Sequence, residues 1–156
     1  MSGKHSFTIT LSNNKTEKEG IRYLTGLRQG FFEVGKDDKK QILALLKIAP
    51  KFARAFDLIY IPKSKKIKLN NRLIHVRLKD LLLVELKTTK KYLPNNPKGF
   101  FFGATQSEFK FAKLAGDKFR FCFVSLHKRL NSHSLLTISQ LGKIIRNKRI
   151  QYQINL

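Results

Sequence analysis

Acidic side chains are rare in this sequence. Ten aspartates and glutamates stand against 32 lysines and arginines in 156 residues, a net charge of +22. Cysteine is rarer still. A single residue, Cys122, excludes an internal disulfide, and its place within "FRFCFV" reads as a small buried hydrophobe. With one cysteine and four histidines (His5, His75, His127 and His133) at no ligand spacing, a zinc framework and histidine-based hydrolysis are both excluded. No run of 18 apolar residues is present, so no membrane span is expected. The opening "MSGKHSFTIT" lacks the apolar stretch of a secretion signal. The expectation is an intracellular, reduced location, in cytoplasm, nucleoid or organelle.

What is abundant is positive charge. Such an excess repels itself in a folded chain unless a polyanion relieves it. Nucleic acid is the partner this favours, because neutralised phosphates release counterions on binding. A basic amphipathic helix would instead be needed for a membrane surface, and here the basic residues are spread along the whole chain. The length and 42% apolar content fit one domain over residues 1–156.

The pattern alternates helices and strands. Strands are expected at "FTITL" (Phe7–Leu11), "RAFDLIYIP", "LLLVELKT", "FFFGA", "DKFRFCFVSL" and "IQYQINL". Helices are expected at "TEKEGIRYLTGL", with Thr16 and Glu19 in capping-box spacing and Gly30 as a stop, and at "DDKKQILALLKIA", capped by Asp37 or Asp38 and ended by Pro50. A third lies at "TQSEFKFAKLAG", with Thr105 and Glu108 as capping box and Gly116 as stop, and a fourth at "LTISQLGKIIRNK". Asn70 and Asn71 read as a hairpin turn within a basic, partly alternating stretch.

With so few acids, each one invites a location. Glu85 and Lys87 sit two apart at the end of an apolar run, so they share a strand face. If Asn70–Asn71 marks the turn, antiparallel partners sum to about 142. Asp57 then opposes Glu85, Ile59 opposes Leu83 and Ile61 opposes Leu81, with a bulge near Pro62 able to slip the register by one. Two adjacent carboxylates repel unless a cation bridges them. Oxygen-only ligation fits a hard ion such as Mg²⁺. Such an ion polarises a phosphoryl oxygen and supplies hydroxide near neutral pH, while Lys87 stabilises transition-state charge. The bland counterparts are a strand-entry cap for Asp57 and a solvated ion pair for Glu85 and Lys87.

"FDLIYIP" followed by "LLLVELKTTKKYL" resembles the PD-(D/E)XK nuclease superfamily, over roughly Thr16 to Val124. Asp57 matches its first acid, and Glu85 and Lys87 its (D/E)-x-K. The proline expected before the first acid is replaced by Phe56. The resemblance implies an α/β restriction-endonuclease-like core, a central mixed β-sheet flanked by helices. It implies a single nuclease domain, Mg²⁺-dependent hydrolysis of DNA phosphodiesters of restriction or homing type, metal ligation by Asp57 and Glu85, and assistance by Lys87. A first-helix glutamate often joins such sites, and Glu17 fits that role, Glu19 reading instead as a cap. Gln106, Glu108 and Lys110 stand as second-tier neighbours on a helix surface. One site cuts one strand, so a homodimer or higher homo-oligomer is expected.

DNA contacts are expected from Lys65, Lys66, Lys68 and Arg72 on the hairpin extension, a β-ribbon suited to the major groove. Further phosphate contacts are expected from Lys90 and Lys91 after the motif, and from Arg146 and Arg149 near the C-terminus. The reading from a different class is a non-catalytic basic nucleic-acid-binding protein, ribosomal or RNA-associated, in which Asp57 and Glu85 are incidental.

Overall fold

The apolar run from Leu81 becomes the central strand of a five-stranded mixed sheet. The computed structural model describes residues 15–66, 68–149 and 154–156. Helix α1 covers 15–26. Strand β1 (Phe31–Glu33), helix α2 (Lys36–Leu45) and a 3₁₀ turn (Pro50–Ala55) lead to β2 (Leu58–Tyr60). Helix α3 (Asn71–Val76), β3 (Leu82–Thr89), α4 (Gln106–Ala115), β4 (Phe119–His127), β5 (Leu130–Leu136) and α5 (Ile138–Ile144) follow. Spatial order equals chain order, and all neighbours are antiparallel except β3 and β4. A parallel pair needs a long crossover, and the loop with α4 supplies it. The described residues thus form an α/β arrangement, a mixed sheet flanked by helices. None of their helices is long and apolar enough to cross a membrane.

Alternation sorts the strands between two cores. On one face Ile59, Leu83, Phe119, Phe121 and Phe123 pack against Ile42, Leu43, Phe52, Phe56, Ile74, Phe111 and Leu141. On the other, Leu58, Val84, Leu86, Cys122 and Val124 pack beneath Leu24 of α1. The 3.6-residue period puts Glu17, Gly20, Ile21 and Leu24 on one side of that helix. Gly20 is the point of closest approach. A Cβ there would lie 2.6 Å from Thr88 Cγ2 and 3.2 Å from Leu86 Cδ2.

The expected sum is observed, with Leu58 opposite Val84, Ile59 opposite Leu83 and Tyr60 opposite Leu82, but the ladder stops short of the expected pairs Asp57–Glu85 and Ile61–Leu81. The hairpin behind it is not observed. Asn70 caps α3, its side chain accepting the Leu73 N–H at 2.8 Å. The basic segment is therefore a loop and a short helix, and no β-ribbon carries Lys65, Lys66, Lys68 and Arg72. Asparagine serves turns and N-caps alike, since its side chain mimics a backbone acceptor in both.

Other boundaries also differ. Arg54 and Ala55 belong to the 3₁₀ turn rather than a strand. Neither Asp37 nor Asp38 caps α2; Gly35 stands at the cap, and both acids lie in the first turn, facing the positive end of the helix dipole. Gly30 is no helix stop. It precedes β1 at φ 108°, and a Cβ there would clash with the Ile61 carbonyl oxygen. "FFFGA" forms no strand. The expected strand at Phe7–Leu11 lies outside the described residues, as does most of the one at Ile150–Leu156.

Candidate active site

Strand β2 is three residues long and β3 is eight. Their ladder ends at Leu58 and Val84, while β3 continues beside β4 to Thr89. A fork opens where β2 departs, and Asp57 sits in its crotch. Its backbone N–H donates to the Val84 carbonyl at 2.8 Å. Its Oδ2 accepts the Leu86 N–H at 2.8 Å. The carboxylate thus takes the place of the next strand residue, satisfying a donor that the sheet has abandoned. Asp57 is half-buried, with its second oxygen left for other partners.

Glu85 and Lys87 emerge on the β3 face that carries Leu83, as alternation requires. Lys87 Nζ lies 3.2 Å from Glu85 Oε1 and donates to Glu108 Oε1 and Oε2 at 3.1 and 3.2 Å. Glu108 comes from the first turn of α4, where the expected capping box forms. The Thr105 hydroxyl accepts the Glu108 N–H, and Glu108 Oε2 accepts the Thr105 N–H at 2.6 Å. Glu108 is thus shared between a helix cap and the site lysine, a larger role than a second-tier surface residue.

One lysine cannot neutralise two buried carboxylates. Burial first, then the hydrogen bond with Glu108 and the Asp57 charge, push the Glu85 carboxyl up to about 11, against the opposing pull of Lys87. Burial also acts to raise Glu108, but the Glu85 hydrogen bond, the Lys87 ammonium and the Thr105 N–H outweigh it and hold Glu108 below its ordinary value. These opposed shifts favour the charge on Glu108 and the proton on Glu85. Glu85 is 5% exposed, and its Oε2 has no hydrogen-bond partner in the protein. An oxygen so placed is satisfied by a proton or by a cation.

Glu17 reaches the same region from α1. Burial first, then the Asp57 charge, raise its carboxyl; Lys87 and Lys39 pull it down, and Glu108 adds to the rise. The structure therefore brings Glu17, Asp57, Glu85 and Lys87 into one electrostatic neighbourhood. Glu19 pairs with Lys90 at 3.5 Å. Lys39 was not among the expected residues. It donates to the Phe56 carbonyl at 2.8 Å and lies over the Phe56 ring, one residue before Asp57. Position 39 continues the stripe of Ile42, Leu43 and Leu46, a pattern that by itself marks only a helix-edge lysine.

The expected DNA contacts divide. Lys65, Lys66, Lys68 and Arg72 are exposed, but on the β2–β3 connection, at the other end of β2 from Asp57. Lys90 and Lys91 follow β3 beyond the fork. Arg146 and Arg149 are exposed on the segment after α5, where Lys148 lies 5.4 Å over the Phe109 ring of α4. Among the described residues no three His, Cys, Asp or Glu side chains converge as a metal-ligand group. Asp57 acts electrostatically on both Glu17 and Glu85. Comparison with family models, curated proteins and solved structures returned no match.

Proposed function

We propose that this protein is a metal-dependent DNA endonuclease with a restriction-endonuclease-like core, hydrolysing phosphodiesters at the β2–β3 fork. The observation that carries the reading is the bare Glu85 Oε2, buried where the Asp57 charge acts on it and two residues before Lys87. The donor set fits Mg²⁺, which takes one or two carboxylates and leaves its other positions to water and phosphate. Asp57 and Glu85 would hold it, with Glu17 close by. When bound, the ion supplies Lewis acidity at a phosphoryl oxygen and a more acidic water. The chain's own part is positional and electrostatic. Glu85 would have to give up its proton to act as a ligand. Asp57 stays fixed by the Leu86 N–H. Lys87, held by Glu85 and Glu108, presents an ammonium to charge developing on the transferred phosphoryl group. The surplus of cations supports a polyanionic substrate. Two copies would cut both strands of a duplex.

A second reading draws on the absence of a three-ligand group among the described residues. It is a basic protein that binds nucleic acid without cutting it. Plasmid nicking with Mg²⁺ separates the two. Wild type is expected to nick, and Asp57→Asn, Glu85→Gln and Lys87→Ala each to lose roughly a hundredfold or more in rate, the scale of a lost charge-stabilising group. Binding without cutting under varied divalent ions and sequences would establish the second reading. Normal cutting by all three variants would move the site elsewhere.

A further inference from the structure

The connection between β3 and α4 carries three consecutive phenylalanines with opposite fates. Phe100 and Phe102 turn inward, their rings 5.0 and 4.9 Å from that of Phe123. Phe101, between them, is 93% exposed. A single exposed apolar residue is ordinary, so its setting decides its meaning. The same connection is pinned along its length. The Ser125 hydroxyl donates to the Lys91 carbonyl at 2.6 Å. The Asn96 amide donates to the Phe123 carbonyl at 3.0 Å and the Ser132 hydroxyl at 3.1 Å. Leu93 is buried. Phe101 is therefore a ring held outward by its neighbours.

It is also held near the candidate site. Phe123, which anchors both flanking rings, is the register partner of Lys87. Adjacent strand partners share a sheet face, so the anchor stands one strand away from the ammonium. The connection then ends at Thr105, whose capping partner Glu108 grips Lys87. Exposed Lys98 and Lys110 flank it in sequence, in a chain of net charge +22.

We propose that Phe101 is a base-stacking residue, taking the face of an unstacked base in the strand presented to the site. The proposal rests on the nucleic-acid reading above and narrows its substrate class. Every base offers a π face, and an exposed ring on a strongly cationic protein fits a strand whose bases are splayed. An intact duplex hides those faces. The favoured ligand is therefore single-stranded, nicked, bulged or locally opened DNA.

The sequence contains no tryptophan, so Phe101→Trp places one reporter at this position. In EDTA, without cleavage, titration with a single-stranded oligonucleotide is expected to quench the indole emission, and a blunt duplex of the same sequence to quench it less. By anisotropy with a labelled strand, Phe101→Ala is expected to bind roughly tenfold or more weakly than wild type, the scale of one lost stack. Its duplex binding should change by less. Unquenched emission with strand affinity unaltered in Phe101→Ala would overturn the proposal and leave the endonuclease reading standing. So would unaltered affinity with a shift from dimer to monomer in sedimentation, which would make Phe101 a contact between copies. Quenching by the strand, with a wild type that never nicks plasmid in Mg²⁺, would uphold the stack and sink the endonuclease. If wild type binds neither strand nor duplex, both fall.

Discussion

A proton on Glu85 ties stability to pH in a direction opposite to most carboxylates. Its folded value, about 11, is above the ordinary 4.5. The folded chain therefore holds a proton that the unfolded chain releases. The stability this brings is complete below the ordinary carboxylate range and is lost as pH rises toward about 11. Metal-free protein is expected to melt at progressively lower temperature as pH climbs from 5 to 9. Glu85→Gln, which keeps a neutral side chain of the same shape, should melt at a nearly constant temperature over that range. Mg²⁺ should raise the melting temperature of wild type more at pH 9 than at pH 6, because loading must expel the proton. It should leave Glu85→Gln unmoved. Thermal unfolding in EDTA and in Mg²⁺ across pH checks all three. At this scale much was legible. The two-residue spacing of Glu85 and Lys87 fixes their common face, and the rarity of acids singles out Asp57. Lys39 was not legible as a site residue, because a lysine on an apolar stripe reads as a helix edge until the 3₁₀ turn brings Phe56 beneath it.

Elements explain why the site is rigid. The first turn of α4 is capped by Thr105, and the same cap aims Glu108 at Lys87. Thr105→Ala is expected to cost about 1 kcal/mol, as lost N-caps do. It should also lower nicking several-fold, because Glu108 loses its anchor. Urea unfolding and nicking measured on one preparation would show both, and an unchanged rate would separate the cap from the chemistry. The β2–β3 pairs do sum to 142, although the hairpin turn from which that sum was drawn is absent; what the sequence carried was the alternation that puts Ile59 and Leu83 in one core. The connection itself was misread because Asn70 caps a helix in place of bending a hairpin. Strand β5 escaped for a related reason. Its residues "LNSHSLL" include serine, asparagine and histidine, poor strand formers. The two residues that join it to β4, Lys128 and Arg129, lack the glycine or asparagine of an obvious hairpin turn. Its partner β4 was clear from the alternating phenylalanines at 119, 121 and 123, all of them in one core.

Over the whole molecule, charge predicts behaviour better than it predicts position. Binding to duplex DNA should weaken linearly in log–log form as salt rises, with a slope near −0.9 for each phosphate neutralised. Arg146→Ala combined with Arg149→Ala is expected to flatten that slope by about two. The same test on Lys65, Lys66 and Lys68 asks whether a surface at the far end of β2 is reached by the same DNA. Filter binding or anisotropy between 50 and 300 mM salt gives the slopes. The layers are also unequal. Helices α2 to α5 crowd one face, while α1 lies over the second core. That core draws Leu24 from near the start of the chain, and Cys122 and Val124 with Leu135 from near its end. Tyr23 reaches His133 across 110 residues. During synthesis α1 therefore leaves the ribosome long before its seat exists. Glu17 cannot take its place beside Asp57 until β4 and β5 have emerged and folded. A chain cut short before them carries the acids and the lysine without the strands that complete the seat of α1.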